Sequence, residues 1–275
     1  MDIICDTTEF HIEQKTAVAI GKFDGIHKGH IQLLSHILKQ KKQGMQAVVF
    51  TFYPSASVFF GQGSKAELTT RYEKRKIFER LGIDILIEFP LNRETAATDP
   101  ESFVRKILAG QMHAGYIAAG EDLSFGYKGR GNKELLIGLA DTFGYQVEII
   151  DKIFYKDREI SSTLVREAVE KGDMPLACEL LGRYYSFEGK VQEGNRLGRR
   201  LGMPTLNLYP VTEKLLPPKG VYYSRVLYEN CVYPGITNIG YKPTVNAVKE
   251  ISVETYLYDF DRDMYGNKSL KMCRH

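Results

Sequence analysis

Thr16-Ala17-Val18-Ala19-Ile20-Gly21-Lys22-Phe23-Asp24-Gly25-Ile26-His27-Lys28-Gly29-His30 is the stretch on which the fold turns. Residues 16–21 are a short apolar run, and beyond Gly29 the residues Leu33, Leu34, Ile37 and Leu38 recur at helical spacing. The reading is strand, glycine-containing loop, helix. In a parallel sheet such a loop opens at the carboxyl end of its strand, where α/β proteins bind ligands. Glycines let the backbone approach a phosphate, and the start of a helix offers N–H groups and the positive end of a dipole. Gly21, Phe23, Asp24, Gly25 and Gly29 are therefore candidate phosphate-binding positions. His27 and His30 are placed to donate hydrogen bonds to a triphosphate and to the charge that develops as pyrophosphate leaves. If the attacking nucleophile is itself a phosphate, no base is needed to create it. Seen alone, two histidines three apart at a helix start are as readily surface or capping residues.

Context favours the site. The same alternation recurs in QAVVFTF (46–52), IDILIEF (83–89), GYIAAG (115–120) and YQVEIID (145–151), with helical apolar spacing between the runs at Ile77, Phe78 and Leu81, at Phe103, Ile107 and Leu108, and at Leu135, Leu136 and Leu139. Gly44, Gly82 and Gly144 stand where helices end. Repeated βα units predict a Rossmann-like α/β domain with a parallel sheet. Three more polar clusters then fall at strand ends on the same edge: Thr51-Phe52-Tyr53-Pro54, Gly120-Glu121-Asp122-Leu123-Ser124-Phe125-Gly126, and Ile160-Ser161-Ser162-Thr163 with Arg166. Ser161, Ser162 and Thr163 suit phosphate oxygens at a helix start, as Arg166 does within the next turn. By itself the triplet is also a common N-cap.

Past Ser161 the texture changes. STLVREAVEKG and MPLACELLG read as two helices, after which YSFEGKVQEG, MPTLNLYP, GVYYSRVLYENCVYPGITNIG and ISVETYLYDF crowd strands together without helices between them. A small antiparallel β-barrel is expected there, with domains at 1–182 and 183–275. Within it, Gly194-Asn195-Arg196-Leu197-Gly198-Arg199-Arg200-Leu201-Gly202-Met203-Pro204-Thr205-Leu206-Asn207 combines glycines and arginines with a turn into a strand. Thr205 and Asn207 supply hard, neutral oxygens of the kind Mg²⁺ accepts beside phosphate. The plainer alternative is a basic solvated turn.

Composition limits the classes. The 275 residues carry 37 Lys and Arg against 34 Asp and Glu, a net +3, which excludes the strong electrostatic footprint of a dedicated nucleic-acid binder. Cys5, Cys178, Cys231 and Cys273 lie far apart without a CxxC pair, so free thiols in a reducing compartment are expected. The amino terminus reads as no secretory leader, and no window approaches the roughly 18 apolar residues of a membrane span, so the expected location is cytoplasmic, away from any membrane. Arg71-Tyr72-Glu73-Lys74-Arg75-Lys76 is expected to be a solvated face without function. The oligomeric state is left open.

GKFDGIHKGH, TFYP, GEDLSFG and ISSTLVR, in this order over residues 16 to about 170, resemble the adenylyltransferase half of the bacterial bifunctional riboflavin kinase and FAD synthetase family. Leu123 stands where that family usually shows Phe. The resemblance implies AMP transfer from ATP to FMN, giving FAD, with His27 and His30 as the transfer residues. It also implies that Ser161, Ser162, Thr163 and Arg166 hold ATP phosphates, and that Asp122, Phe125 and Gly126 lie near nucleotide or flavin. The barrel motifs, with Gly220-Val221-Tyr222, Asn238-Ile239-Gly240 and Val253-Glu254-Thr255, are similar to the family's riboflavin kinase module. That likeness implies Glu254 as the base for the ribityl hydroxyl of riboflavin, Thr205 and Asn207 on Mg-ATP, Gly198, Arg199, Gly202 and Pro204 on ATP, and Asn238 on flavin. The family continues beyond the segment resembling FDRDMYGNKSL, so weakened or absent kinase activity is expected beside an intact adenylyltransferase. Two other readings stay open: a different HxGH nucleotidyltransferase, against which the barrel argues, and a flavin-sensing binding module, against which the intact HKGH and ISST argue.

Overall fold

A computed structural model describes residues 1–61, 66–192, 205–229, 231–242, 250–260 and 266–272. They form two compact units, Met1–Lys65 with Lys74–Ile160, and Ala66–Glu73 with Ser161–His275.

The first unit is a six-stranded parallel sheet. Its elements in chain order are β1 Asp2–Cys5, β2 Thr16–Ile20, α1 Lys28–Lys41, β3 Gln46–Tyr53, α2 Ala56–Phe59, α3 Arg71–Leu81 (from Lys74 onward), β4 Ile85–Pro90, α4 Pro100–Phe103 running on through a π-helical segment Val104–Gln111, β5 Ala114–Gly120, α5 Lys133–Phe143 and β6 Gln146–Ile150. The strand order is β1-β4-β3-β2-β5-β6, and every pairing is parallel. A small antiparallel pair follows, β7 Phe154–Tyr155 with β8 Arg158–Glu159.

Every residue of β2 is buried, as expected of a central strand covered on both faces. Alternation sorts its side chains. Val18 and Ile20 join Phe50, Ile87, Phe103 and Leu108 in one core, while Ala17 and Ala19 join Leu33, Leu34, Ile37 and Phe78 in the other. Small residues on the second face let α1 lie close to the sheet, and α1 is the helix that carries His30.

The five strands expected from the apolar runs are present. The edge strand β1 was not anticipated: DIIC is short and half-exposed, and only its parallel pairing with β4 makes it a strand. The expected solvated face at 71–76 is also corrected. Lys74 is buried, and Arg75 donates from Nε to Glu88 Oε1 at 2.9 Å, with a second bond from its Nη2 to Oε2 of the same carboxylate. Glu88 is only 4% exposed. A buried carboxylate needs such a partner, and nothing local to residues 71–76 signals it.

The second unit holds α6 Ser162–Glu170, α7 Met174–Leu181, β9 Ser186–Gln192, β10 Thr205–Pro210, β11 Gly220–Tyr228, β12 Cys231–Lys242, β13 Glu250–Leu257 and β14 Gly266–Met272. The strands close a barrel in the order β10-β13-β12-β11-β14-β9, antiparallel throughout. Phe187, Leu208, Val226, Ile239 and Val253 are among its buried side chains. With them sit three fully buried hydroxyls: Thr237 Oγ1 lies 2.7 Å from both Ser224 Oγ and Thr255 Oγ1. Hydrogen bonding to one another keeps these polar groups tolerable in an apolar interior. The segment Ala66–Glu73 is tied in by Lys214, whose Nζ donates to Leu68 O at 2.7 Å and pairs with Glu73 Oε2 at 2.8 Å.

Candidate active site

The loop between β2 and α1 is held in an unusual backbone conformation. Phe23 (φ 51°), Gly25 (φ 83°) and Ile26 (φ 44°) are all left-handed, which for the two side-chain-bearing residues costs about 1–3 kcal/mol each. Burial offsets this. Phe23 and Ile26 are fully buried, Phe23 meeting Phe78 edge-on at 5.5 Å, and a buried side chain of this size contributes roughly 1.5–3 kcal/mol. Gly21 leaves room for that anchor, since a Cβ there would lie 3.1 Å from the Phe23 ring. Asp24 is buried beside it in sequence.

Anchoring the loop brings the two histidines together. His27 is the N-cap residue of α1, and its ring stacks on that of His30, centroids 3.8 Å apart with 25° between the planes. Phe23 backs the His30 ring at 5.1 Å. A Cβ at Gly29 would sit 3.2 Å from the His27 ring atoms, so a side chain here would push that ring aside. The first turn of α1 carries no acidic residue, and Lys39 and Lys41 lie in its last turn.

Two more loops of the first unit leave the sheet on the same carboxyl edge. After β3, Tyr53 is exposed, the Tyr53–Pro54 bond is cis, and Ser55 is buried. After β5, Asp122 is exposed and Leu123 half-buried. Phe125 is only 3% exposed and packs on Phe103 at 5.4 Å, so its ring belongs to the core. Gly126 is left-handed (φ 69°), and a Cβ there would meet Pro100 at 2.8 Å. Phe125 and Gly131 exchange backbone hydrogen bonds of 3.0 and 2.9 Å that close this loop.

The Ser161 cluster lies in the second unit. Ser161 caps α6, its Oγ accepting the Leu164 N–H at 3.3 Å; the hydroxyl proton remains able to donate. Ser162 and Thr163 form the first turn of α6, and Arg166 Nη1 donates to Ala66 O at 2.8 Å. In the barrel, strand register sets Asn207 opposite Glu254 and Glu254 opposite Asn238. Directly opposed residues share a face. Three polar side chains thus form one row across β10, β13 and β12. The row lies on the face opposite the barrel interior, since the neighbouring Val253, Thr237 and Ile239 are buried; along it Asn238 is exposed, Glu254 half-buried and Asn207 buried. Thr205 lies two residues from Asn207, on the same face and exposed. Gly198, Arg199, Gly202 and Pro204 lie outside the described residues.

Residues 9–164 match the family described as FAD synthetase, and residues 181–273 match riboflavin kinase. A bifunctional riboflavin kinase/FMN adenylyltransferase of Haemophilus influenzae is 34% identical over 92% of this chain and 82% of its own length. The chain belongs to the bifunctional riboflavin kinase/FMN adenylyltransferase family. Family members of the same name from Bacillus subtilis and Escherichia coli are 32% and 31% identical, each over 92% of this chain and 81% and 82% of their own lengths. A crystal structure described as a macrolide-efflux protein from Streptococcus pneumoniae superposes with a TM-score of 0.87 at 27% identity, over 98% of this chain and 88% of that one. Among the described residues no helix is long and apolar enough to cross a membrane.

For this family member the His27–His30 pair falls within the FAD synthetase match and the Asn207–Glu254–Asn238 row within the riboflavin kinase match. Sequence reasoning passed over Lys22, whose Nζ meets Ser57 Oγ at 2.9 Å. Its place inside the loop was the available signal. The partner, in the next βα connection, was legible only in the fold.

Proposed function

We propose that this chain makes FAD from FMN and ATP at the His27–His30 loop, and FMN from riboflavin and ATP on the barrel. The observation that carries the first assignment is the stacked histidine pair at the start of α1, held by a buried, left-handed loop at the carboxyl edge of the sheet. A phosphate oxygen of FMN attacks the α-phosphorus of ATP, the bond to the bridging oxygen breaks, and pyrophosphate leaves with the electron pair. Both reactants arrive charged and need no activation. The protein therefore contributes position and charge stabilisation, with His27 and His30 donating to phosphate oxygens. Ser161, Ser162, Thr163 and Arg166 are assigned to ATP phosphates, and Asp122 and Gly126 to the nucleotide or flavin.

On the barrel the attacking group is an alcohol, so its proton must go. Glu254 accepts it as the ribityl 5′-oxygen bonds to the γ-phosphorus and ADP departs. Its alignment with Asn207 supports this role. Thr205 and Asn207 offer hard oxygens on the Glu254 face, a donor set that fits Mg²⁺ beside ATP phosphates; a bound Mg²⁺ would neutralise phosphate charge there. Asn238 is assigned to the flavin, and Gly198, Arg199, Gly202 and Pro204 to ATP. The functional modules are 1–182 and 183–275, and the widely separated cysteines Cys5, Cys178, Cys231 and Cys273, without a CxxC pair, support a cytoplasmic site of action.

Incubation with Mg-ATP and either FMN or riboflavin, followed by chromatographic separation of the flavins, tests both assignments. FAD from FMN is expected; flavin binding without any FAD would reduce the protein to a binding module. FMN from riboflavin, lost in Glu254→Gln while FAD synthesis from FMN persists, would establish the barrel site. It would also overturn the weakened kinase expected from the family's longer C-terminal segment.

A further inference from the structure

Lys22 lies at the mouth of the first site and has no role in the mechanism above. Phe23 is buried in the core, and Lys22, beside it in the chain, is exposed at the carboxyl edge of β2. Its ammonium rests on Ser57 Oγ at 2.9 Å, and Ser57 Oγ lies 3.2 Å from Ser55 Oγ. Among the described residues this is a neutral seat, since no carboxylate meets Lys22. An ammonium with three donors, one hydroxyl partner and no counter-charge, beside a histidine pair assigned to phosphoryl chemistry, is short of one anion.

The surroundings indicate which anion. Ser57 belongs to the connection after β3, where Tyr53, Val58 and Phe60 are also exposed, at 41%, 38% and 57%. Exposed apolar and aromatic groups clustered in sequence suit a flat ring system. We propose that Lys22 leaves Ser57 to bind the phosphate of the aromatic acceptor, fixing the attacking oxygen for transfer and selecting a phosphorylated acceptor over its free alcohol. This rests on the adenylyltransferase reading and extends it to the acceptor side.

The test is steady-state kinetics of FAD formation with Lys22→Gln and Lys22→Arg, varying FMN and ATP separately. Because Lys22 is exposed, both variants should keep the native circular dichroism spectrum. Losing one charge-assisted bond predicts a KM for FMN raised roughly tenfold or more in Lys22→Gln. The KM for ATP should stay within about twofold, and Lys22→Arg should recover most of the loss. A rise confined to the KM for ATP would move Lys22 to the triphosphate and overturn the proposal, as would unchanged kinetics in Lys22→Gln. A wild-type protein that makes no FAD defeats the parent reading and this one together, whereas an active wild type with an indifferent Lys22→Gln defeats this one alone.

Discussion

The imidazole rings of His27 and His30 are stacked, with centroids 3.8 Å apart, and Phe23 closes the far side of His30 at 5.1 Å. On the proposed assignment, rings packed this closely act on the reacting phosphates as one unit. His30→Ala is expected to reduce FAD formation by about 10²-fold or more while FMN binding, read from flavin fluorescence, is little changed. His27→Asn should behave alike, and the double variant should be scarcely worse than the weaker single one. Losses that multiply in the double variant would show two independent roles.

Gly29 separates stability from activity. It lies within α1, where alanine is favoured over glycine by roughly 0.5–1 kcal/mol, but the added Cβ would sit 3.2 Å from the His27 ring. Gly29→Ala should therefore melt no lower than the wild type and make FAD more slowly. Full activity would mean that the His27 position is not critical.

The Lys214–Glu73 pair is buried, with side chains 1% and 7% exposed. Removing Lys214 takes the ion-pair partner from the Glu73 carboxylate, to which Arg183 remains a nearby cation and Thr70 N–H a donor, so Lys214→Ala is predicted to lower stability by about 3 kcal/mol in urea unfolding. Lys214→Met, which keeps the length of the side chain but not its charge, should lose nearly as much. Lys214→Met as stable as the wild type would refute the charge argument.

Tyr145 supplies an alkaline limit. Burial pushes its hydroxyl from the ordinary 10.0 up to about 12, so the folded state favours the neutral form. Its contribution is complete below the unfolded value and is lost as pH rises from about 10 through about 12. The same hydroxyl donates to Leu136 O at 2.9 Å. Tyr145→Phe should thus be less stable by about 1 kcal/mol at neutral pH and show a shallower decline between pH 9 and 12 in thermal melts. A residual slope is expected from Tyr116 and Tyr222, both also raised by burial. An identical decline in the variant would contradict the assignment.

Much of the site was legible as local pattern. The loop from Gly21 to His30 announces itself because a strand, close glycines and a helix start lie within fifteen residues of one another, and both histidines fall inside it. Phe125 shows the limit of motif reading. The family resemblance implied a place near nucleotide or flavin for it, and packing on Phe103 turns its ring into the core. The segment 71–76 reads as charged and helical and therefore solvated, whereas Glu73 pairs with Lys214, far away in the chain, and Arg75 with Glu88 on the strand that follows its helix.

The sequence by itself determined the repeated α/β pattern and the barrel that follows, because strand and helix periodicities are properties of neighbouring residues; it singled out the histidines by their loop and Glu254 by family resemblance. Tertiary structure alone decided that His27 stacks on His30, that Glu254 stands between Asn207 and Asn238, and that Lys22 rests on Ser57. Each of these depends on helix packing, strand register or loop closure. Those are fixed by the burial of distant apolar groups against one another, which no local stretch of chain encodes.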